Sequence, residues 1–194
     1  NGVLDGIQGQ LIVNGSGSDT VNIDDTGSTT NESGTLAQTQ PLGFGSIGPT
    51  ALTGRGMGVR GITYSGLAVL NVSLGSGDDT LSIYGITDST VTTIDGGLGT
   101  NTATLNISGD FAGINLTLLN FATATLSVGG NFSGLLNDQG AITTVAIGGS
   151  LTSAGVLNVG SIATMTVGGD LAGLVNVTGL LGTLTVNGGT PGEI

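Results

Sequence analysis

The sequence contains no cysteine, histidine or tryptophan, and its only basic residues are Arg55 and Arg60. Without cysteine there is no disulfide framework, so stability outside a cell has to come from backbone pairing and packing. A net charge of -11 excludes the basic surface that nucleic acid requires and argues against anionic membranes. No apolar run approaches the length of a membrane span. We therefore expect neither a nucleic-acid partner nor membrane insertion.

The same absences leave little material for catalysis. A serine nucleophile would lack the histidine that usually activates it, and no cysteine nucleophile or lysine base is present. Paired carboxylates cut glycans in some β-helical enzymes. Such enzymes usually hold sugars on aromatic platforms, and only 3% of these residues are aromatic. We therefore predict that the chain is not an enzyme.

A short phrase that begins with threonine recurs through the second half of the chain. Its five copies start at intervals of 21, 19, 20 and 19 residues and read TLNISGDF (Thr104), TLSVGGNF (Thr125), TVAIGGSL (Thr144), TMTVGGDL (Thr164) and TLTVNGGT (Thr183). Each copy alternates apolar and polar residues, which predicts a strand with one buried face. A unit this short cannot bury its apolar face alone, so successive units have to stack.

We predict an all-β fold, a right-handed parallel β-helix (β-solenoid) with about 20 residues per coil. A four-stranded propeller blade would need about 40 residues per repeat, so we set it aside. Residues 1–25 are the first coils, with strands at 10–13 and 20–23 joined by a turn. Residues 26–61, which include Pro41 and Pro49, are an irregular excursion whose pieces 35–38 and 51–53 form a flap on the side of the stack. Residues 62–194 are the regular solenoid.

Each later coil carries the same sequence of features. Paired glycines after the strand predict a turn with positive φ. A polar column and then an apolar column follow, and one asparagine per coil predicts a stacked amide ladder. The leading threonines look like the flat arrays of ice-binding solenoids, but β-propensity alone explains outward threonine better. The columns are Asp110, Asn131, Ser150 and Asp170 (polar), Phe111, Phe132, Leu151 and Leu171 (apolar), and Asn115, Asn137, Asn158 and Asn176 (amide).

Two glycine-rich turns precede strands and end in aspartate, GSGSD before Thr20 and GSGDD before Thr80. Both resemble the calcium-binding nonapeptide of RTX proteins, in which turn carbonyls and an aspartate carboxylate hold the ion. The resemblance implies calcium ligands at Asp19, Asp78 and Asp79. Asp24 and Asp25, which follow the first such strand, are candidate supplements. The third turn, which we expect to stack on the second, carries Asn101 at this position. The alternative is that these aspartates hydrogen-bond their own turns, which aspartate does readily.

Longer stretches resemble the repeats of very large secreted bacterial proteins, the β-strand-repeat or RTX-like proteins. They are GITYSGLAVLNVSLGSGDDTLSI from Gly61, VNIDDTGSTTNESGTL from Val21, and SIATMTVGGDLAGLVNV from Ser161. The resemblance implies a secreted or cell-surface location, a role as stalk, adhesin, matrix or fibre, and calcium.

Three functional expectations follow, and they differ in partner. The first is a structural module that stacks end to end into a filament, because Leu184 and Val186 lie in a last rung that nothing covers. The second is a module whose residues 26–61 bind a glycan or a surface protein. The third is a stalk stabilised by calcium. Because the sequence starts in mid-pattern at Asn1, we expect the chain to be a piece of a longer secreted protein.

Overall fold

A computed structural model describes residues 2–38, 48–86 and 89–189 of the chain. These residues form thirteen strands and no helix. The strands are β1 (Leu11–Asp24), β2 (Ser33–Gln38), β3 (Thr50–Gly54), β4 (Ile62–Ser73), β5 (Thr80–Ile83), β6 (Val91–Asp95), β7 (Thr102–Ile107), β8 (Asn115–Leu119), β9 (Thr123–Val128), β10 (Leu135–Ile147), β11 (Val156–Val167), β12 (Leu174–Val177) and β13 (Leu181–Val186).

The strands stack into two parallel walls. Wall A consists of the second halves of β1 and β4, then β6, β8, the first halves of β10 and β11, and β12. Wall B consists of β2, β5, β7, β9, the second halves of β10 and β11, and β13. In both walls each strand between the ends pairs with the strand one turn earlier and the strand one turn later. The predicted β-solenoid is confirmed, and its turns rise about 4.8 Å each. The right-handedness of the β-helix stays a prediction.

The predicted columns follow the wall register. Thr104 lies opposite Thr125, which pairs in turn with Thr144. The apolar column forms a third line of contacts, because Phe111, Phe132, Leu151 and Leu171 make successive parallel bridges between turns. The rings of Phe111 and Phe132 stack with centroids 4.5 Å apart and planes at 4°. All four side chains are buried, so this line closes the core between the walls.

The amino-terminal part of the solenoid contains antiparallel pairing that the sequence does not predict. Strand β3 pairs antiparallel with β2 on one side and with the first half of β4 on the other. Leu36 in β2 and Leu52 in β3 are 0% and 1% exposed. These pieces therefore complete wall B and its core, and they are not a flap on its side. Pro41 lies outside the described residues, and the division of the chain at residues 25 and 61 stays a prediction.

The two strands predicted at 10–13 and 20–23 are parts of one strand, β1. It runs beside β4, and the register shifts between Asn14 and Asp19 and again between Asp19 and Thr20. A bulge adds residues to one strand without ending the pairing, and it bends the strand. The glycine-rich segment 15–18 therefore bends β1, whereas the sequence predicts a turn between two separate strands there.

The paired glycines serve a different purpose from the predicted one, because none of the pairs after β9, β10 or β11 has a positive φ. A Cβ on Gly148 would lie 2.4 Å from the Gly129 carbonyl oxygen of the previous turn. A Cβ on Gly149 would lie 2.5 Å from Asn131 Oδ1. The first glycine thus lets the turns stack closely, and the second leaves room for a polar side chain from the turn below.

Candidate functional site

Four of the carboxylates predicted as calcium ligands have different hydrogen-bond partners, so they do not share one ligand. Asp19 is exposed in the bend of β1. One oxygen of Asp19 accepts hydrogen bonds from the Ser16 backbone nitrogen at 2.5 Å and from Ser16 Oγ at 2.8 Å. These bonds lower the pKa of Asp19, the backbone one most strongly. This arrangement matches the alternative in which aspartate stabilises its own bend.

Asp24 ends β1 on the solvent side. Its Oδ1 accepts hydrogen bonds from Thr26 Oγ1 at 2.6 Å and from the Thr26 backbone nitrogen at 3.0 Å. Its Oδ2 accepts one from the Gly2 backbone nitrogen at 3.0 Å. Because hydrogen bonds to a carboxylate favour its ionised form, they lower the pKa of Asp24 to about 2, with the Thr26 hydroxyl as the largest cause. Asp24 therefore holds the amino-terminal segment against β1.

Asp78 and Asp79 belong to two hydrogen-bonded columns at the corner before wall B. On the outer column, Asp78 Oδ1 accepts a hydrogen bond from the Thr100 backbone nitrogen at 2.7 Å. On the inner column, Asp79 Oδ1 accepts one from the Glu32 backbone nitrogen at 3.0 Å. The Asp79 backbone nitrogen donates to Asn101 Oδ1 at 2.9 Å. Asn101 does stack on Asp79, as expected, and both side chains bind backbone groups of neighbouring turns.

The second oxygen of Asp79 faces a buried arginine, which the sequence interpretation did not identify as functional. Arg55 Nη2 lies 3.3 Å from Asp79 Oδ2, 2.7 Å from Asp25 Oδ2 and 3.2 Å from Glu32 Oε2. Arg55 and Asp25 are each 1% exposed, and Asp25 Oδ1 accepts a hydrogen bond from the Leu4 backbone nitrogen. One guanidinium thus joins the amino-terminal segment to the first two turns. We call Arg55, Asp25, Glu32 and Asp79 the Arg55 cluster.

The Arg55 cluster holds three carboxyl groups around one cation. Burial raises the pKa of Glu32, and the Asp25 carboxyl raises it further, while Arg55 partly offsets both. Burying charge without full compensation is costly, and a carboxyl group responds by keeping its proton. The sequence interpretation identified Asp79 as a candidate ligand, but not this partner. The signal for Arg55 is that it is one of two basic residues in a chain with thirteen acidic ones.

Calcium binding at these positions stays a prediction. Among the described residues, no group of three or more acidic side chains is arranged to hold a metal ion. Most carboxylate oxygens of Asp19, Asp24 and Asp79 already accept hydrogen bonds or face Arg55. A calcium ion needs six or more oxygens at one place, and these residues do not provide them together.

The predicted polar column is a side-chain ladder along the paired glycines. Asp110 Oδ1 accepts a hydrogen bond from the Asn131 backbone nitrogen at 2.7 Å, and Asn131 Oδ1 accepts one from the Ser150 nitrogen at 2.9 Å. Ser150 Oγ and Asp170 Oδ1 continue the series to the next turns. The ladder therefore satisfies backbone donors where the chain leaves wall B.

The predicted amide ladder exists on the outer face of wall A, with one wrong member. Asn176 Nδ2 donates to Asn158 Oδ1 at 2.7 Å, and Asn158 Nδ2 donates to Asn137 Oδ1 at 2.7 Å. Asn137 then donates to Thr117 Oγ1 at 3.3 Å. Asn115 is out of register by two residues, because it lies opposite Leu135. We call Thr117, Asn137, Asn158 and Asn176 the amide ladder. Nearer the amino terminus, Asn71 of the same column donates a side-chain hydrogen bond to Asn22.

Asp138 occupies an inward position of wall A that neighbouring turns fill with Leu118 and Val159. It is 1% exposed. Its Oδ1 accepts a hydrogen bond from the Gly140 backbone nitrogen at 2.9 Å, and its Oδ2 has no hydrogen-bond partner among the described residues. Burial raises the pKa of Asp138. Strand alternation predicts an apolar residue at this position. The aspartate breaks the alternation, and this was the sequence signal that the interpretation missed.

The two ends of the described solenoid present unpaired strand edges. Within the described residues, β12 and β13 each pair only with β11. Leu181, Leu184 and Val186 are only partly buried against the core. At the other end, β1 pairs with no described strand except β4, and Leu11 and Ile12 are 44% and 57% exposed. Backbone donors and acceptors and apolar side chains therefore reach both ends.

The chain matches no protein-family model, no curated protein and no solved structure. No helix in the described part of the chain is long and apolar enough to cross a membrane.

Proposed function

We propose that this chain is a non-enzymatic structural module of an extracellular bacterial fibre, matrix or surface protein. Its solenoids stack end to end through their open strand edges. The resemblance of its repeats to giant secreted proteins supports the location. The absence of histidine, cysteine and lysine supports a role without catalysis.

The single observation that carries this proposal is the carboxyl-terminal layer. Among the described residues, strands β12 and β13 each have a pairing partner, β11, on one side only. Leu184 and Val186 continue apolar columns that are fully buried one turn earlier, at Met165 and Val167. An unpaired edge with an incomplete core is a template for another strand layer.

The direction of the outer amide column supports head-to-tail stacking. Every side-chain hydrogen bond in it is donated toward the amino terminus, as from Asn176 to Asn158 and from Asn71 to Asn22. Asn176 Oδ1 and Asn22 Nδ2 therefore remain without hydrogen-bond partners in the described structure. If Asn22 of a second copy continues the column above Asn176, its Nδ2 meets Asn176 Oδ1 with the polarity of every other step.

The binding role expected for residues 26–61 stays a prediction. Leu36 and Leu52 of this segment are buried in wall B. Residues 39–47 lie outside the described residues.

The experiment compares purified full chain with two lysine variants of β13 by electron microscopy and light scattering. Val186→Lys places a charge over the apolar end, whereas Thr185→Lys places it on the exposed outer face of the same strand. We expect wild-type protein and Thr185→Lys to form rods that lengthen with concentration, and Val186→Lys to remain a short monomer. Wild-type rods of single-copy length at every concentration, or Val186→Lys rods as long as those of the wild type, would contradict the proposal.

A further inference from the structure

A groove lies along the amide ladder on the outer face of wall A. Its deeper part has a volume of about 540 Å³ and is lined by Asn137, Asn158 and Thr178 among others. A second hollow of about 590 Å³ adjoins it and shares Asn158 and Thr178. Together they extend over four successive turns, from Thr117 to Thr178. Each volume lies within the range of ligand sites, about 300–1,000 Å³.

The polar groups of this groove are held in place before any ligand arrives. The side-chain bonds between Asn137, Asn158 and Asn176 fix each amide plane and leave each Nδ2 with a second N–H group. Thr178 Oγ1 is anchored on the Gly160 carbonyl oxygen at 3.3 Å. Fixed side chains lose little entropy on binding, which makes them effective contacts. The groove thus presents a row of oriented donors and acceptors, one set per turn.

The groove carries no exposed charge. Its lining residues are amides, hydroxyl groups, Val159, Gly160 and one carboxyl group, that of Asp138. Asp138 is buried beneath the surface, and burial raises its pKa. The net charge of -11 disfavours anionic ligands, and the amide floor disfavours fully apolar ones because its amides would lose water without replacement. A neutral ligand rich in hydroxyl groups fits both restrictions.

We propose that this groove binds a linear neutral glycan whose successive sugar units contact the amides of successive turns. Sugar hydroxyl groups both donate and accept, as the free N–H groups and carbonyl oxygens of the amide ladder require. This site is distinct from residues 26–61 and meets the stacking end only at β12, where Asn176 lies, so it gives the structural module a ligand of its own.

The test uses the full chain labelled with ¹⁵N and titrates it with three neutral glucose hexasaccharides, linked β-1,4, β-1,3 or α-1,4. Oligogalacturonate serves as the anionic probe. The groove variant is Asn158→Thr and the matched control is Asn71→Thr, which removes an amide from the same column outside the groove. Both variants place threonine where the column already carries it at Thr93 and Thr117, so both are expected to fold.

We expect at least one neutral hexasaccharide to shift the side-chain amide signals of Asn137 and Asn158, with Kd of about 1 mM. Asn158→Thr should weaken this binding about tenfold, and Asn71→Thr should leave it unchanged. The proposal is overturned if none of the three sugars binds up to about 10 mM, if oligogalacturonate binds as well as they do, or if both variants weaken binding equally. Stacking is read separately by rod length, so neither result depends on the other.

Discussion

Arg55 is the residue on which the amino-terminal turns converge. It has a positive φ of 53° between two glycines, a conformation that costs energy for a residue with a side chain. That cost is compensated because its guanidinium faces Asp25, Glu32 and Asp79 at once. Its partners come from the end of β1, the following loop and the corner before β5, so the ion pairs link segments far apart in sequence.

We predict that Arg55→Ala lowers the free energy of unfolding by about 3–5 kcal/mol, because it leaves buried carboxyl groups without their cation. Arg60, the other basic residue, is exposed, so Arg60→Ala should change stability by less than about 0.5 kcal/mol. Urea unfolding at neutral pH measures both. Equal effects of the two substitutions would mean that the Arg55 cluster contributes no more than general charge balance.

Asp138 is a second residue whose environment conflicts with its charge. Its folded pKa is raised, so the native state binds more protons than the unfolded state once the pH exceeds the unfolded value of about 4. Its contribution to stability is therefore greatest below that value and is lost as the pH rises through the folded pKa.

We predict that Asp138→Asn, which keeps an oxygen for the Gly140 nitrogen but cannot ionise, flattens this pH dependence. At pH 7 the free energy of unfolding of this variant should exceed that of the wild type. The gain should be on the order of 1 kcal/mol for each pH unit by which burial raises the pKa of Asp138. Asp110→Asn is the matched control, since Asp110 also accepts a backbone hydrogen bond but is exposed. The check is chemical unfolding from pH 4 to pH 8; parallel curves for wild type and Asp138→Asn would refute the assignment.

At the scale of the element, the turn after each wall B strand depends on glycine because of what lies one turn below. Gly109 and Gly149 hold the same place in different turns, since Gly130 bonds to Gly109 and Gly149 bonds to Gly130. Beneath Gly149 lies the Asn131 side chain of the polar ladder, whereas a Cβ on Gly109 would meet nothing within 4 Å. The same residue type is therefore essential in one turn and dispensable in another.

We predict that Gly149→Ala costs about 1–3 kcal/mol, because its Cβ would displace Asn131 Oδ1 and the backbone of Gly130. Gly109→Ala should be neutral or slightly stabilising, because neither glycine has a positive φ and alanine restricts the unfolded chain. Thermal unfolding of the two variants measures the difference. Similar losses of stability in both would show that glycine is required for backbone freedom and not for the stacking of turns.

At the scale of the whole molecule, carboxyl groups with shifted pKa values act in opposite directions. Asp24, with a pKa of about 2, stabilises the fold above pH 4 and loses that contribution as the pH falls. Glu32 and Asp138 have raised pKa values, so their contributions to stability are lost as the pH rises above about 4. The net charge of -11 at pH 7 adds self-repulsion on the same side.

We therefore predict a maximum in melting temperature near pH 4–5, with a decline toward pH 2 and toward pH 8. Raising the salt to about 0.5 M should reduce the decline on the alkaline side only in part, because salt screens surface repulsion but not buried carboxyl groups. Calorimetry across this range provides the measurement. A melting temperature that is highest at neutral pH would contradict the raised pKa values of Glu32 and Asp138.

The sequence by itself determined the solenoid, because the features that specify it are local. Alternation in the threonine-led phrases sets which face of each strand is buried, and the spacing of the phrases sets which strands stack. The columns that begin at Thr104, Asp110 and Phe111 followed directly. Only the tertiary structure decided which distant residues meet. Arg55 among its carboxyl partners, β3 inside wall B, and Thr117 in place of Asn115 depend on register and long-range contact, and no local pattern carries that information.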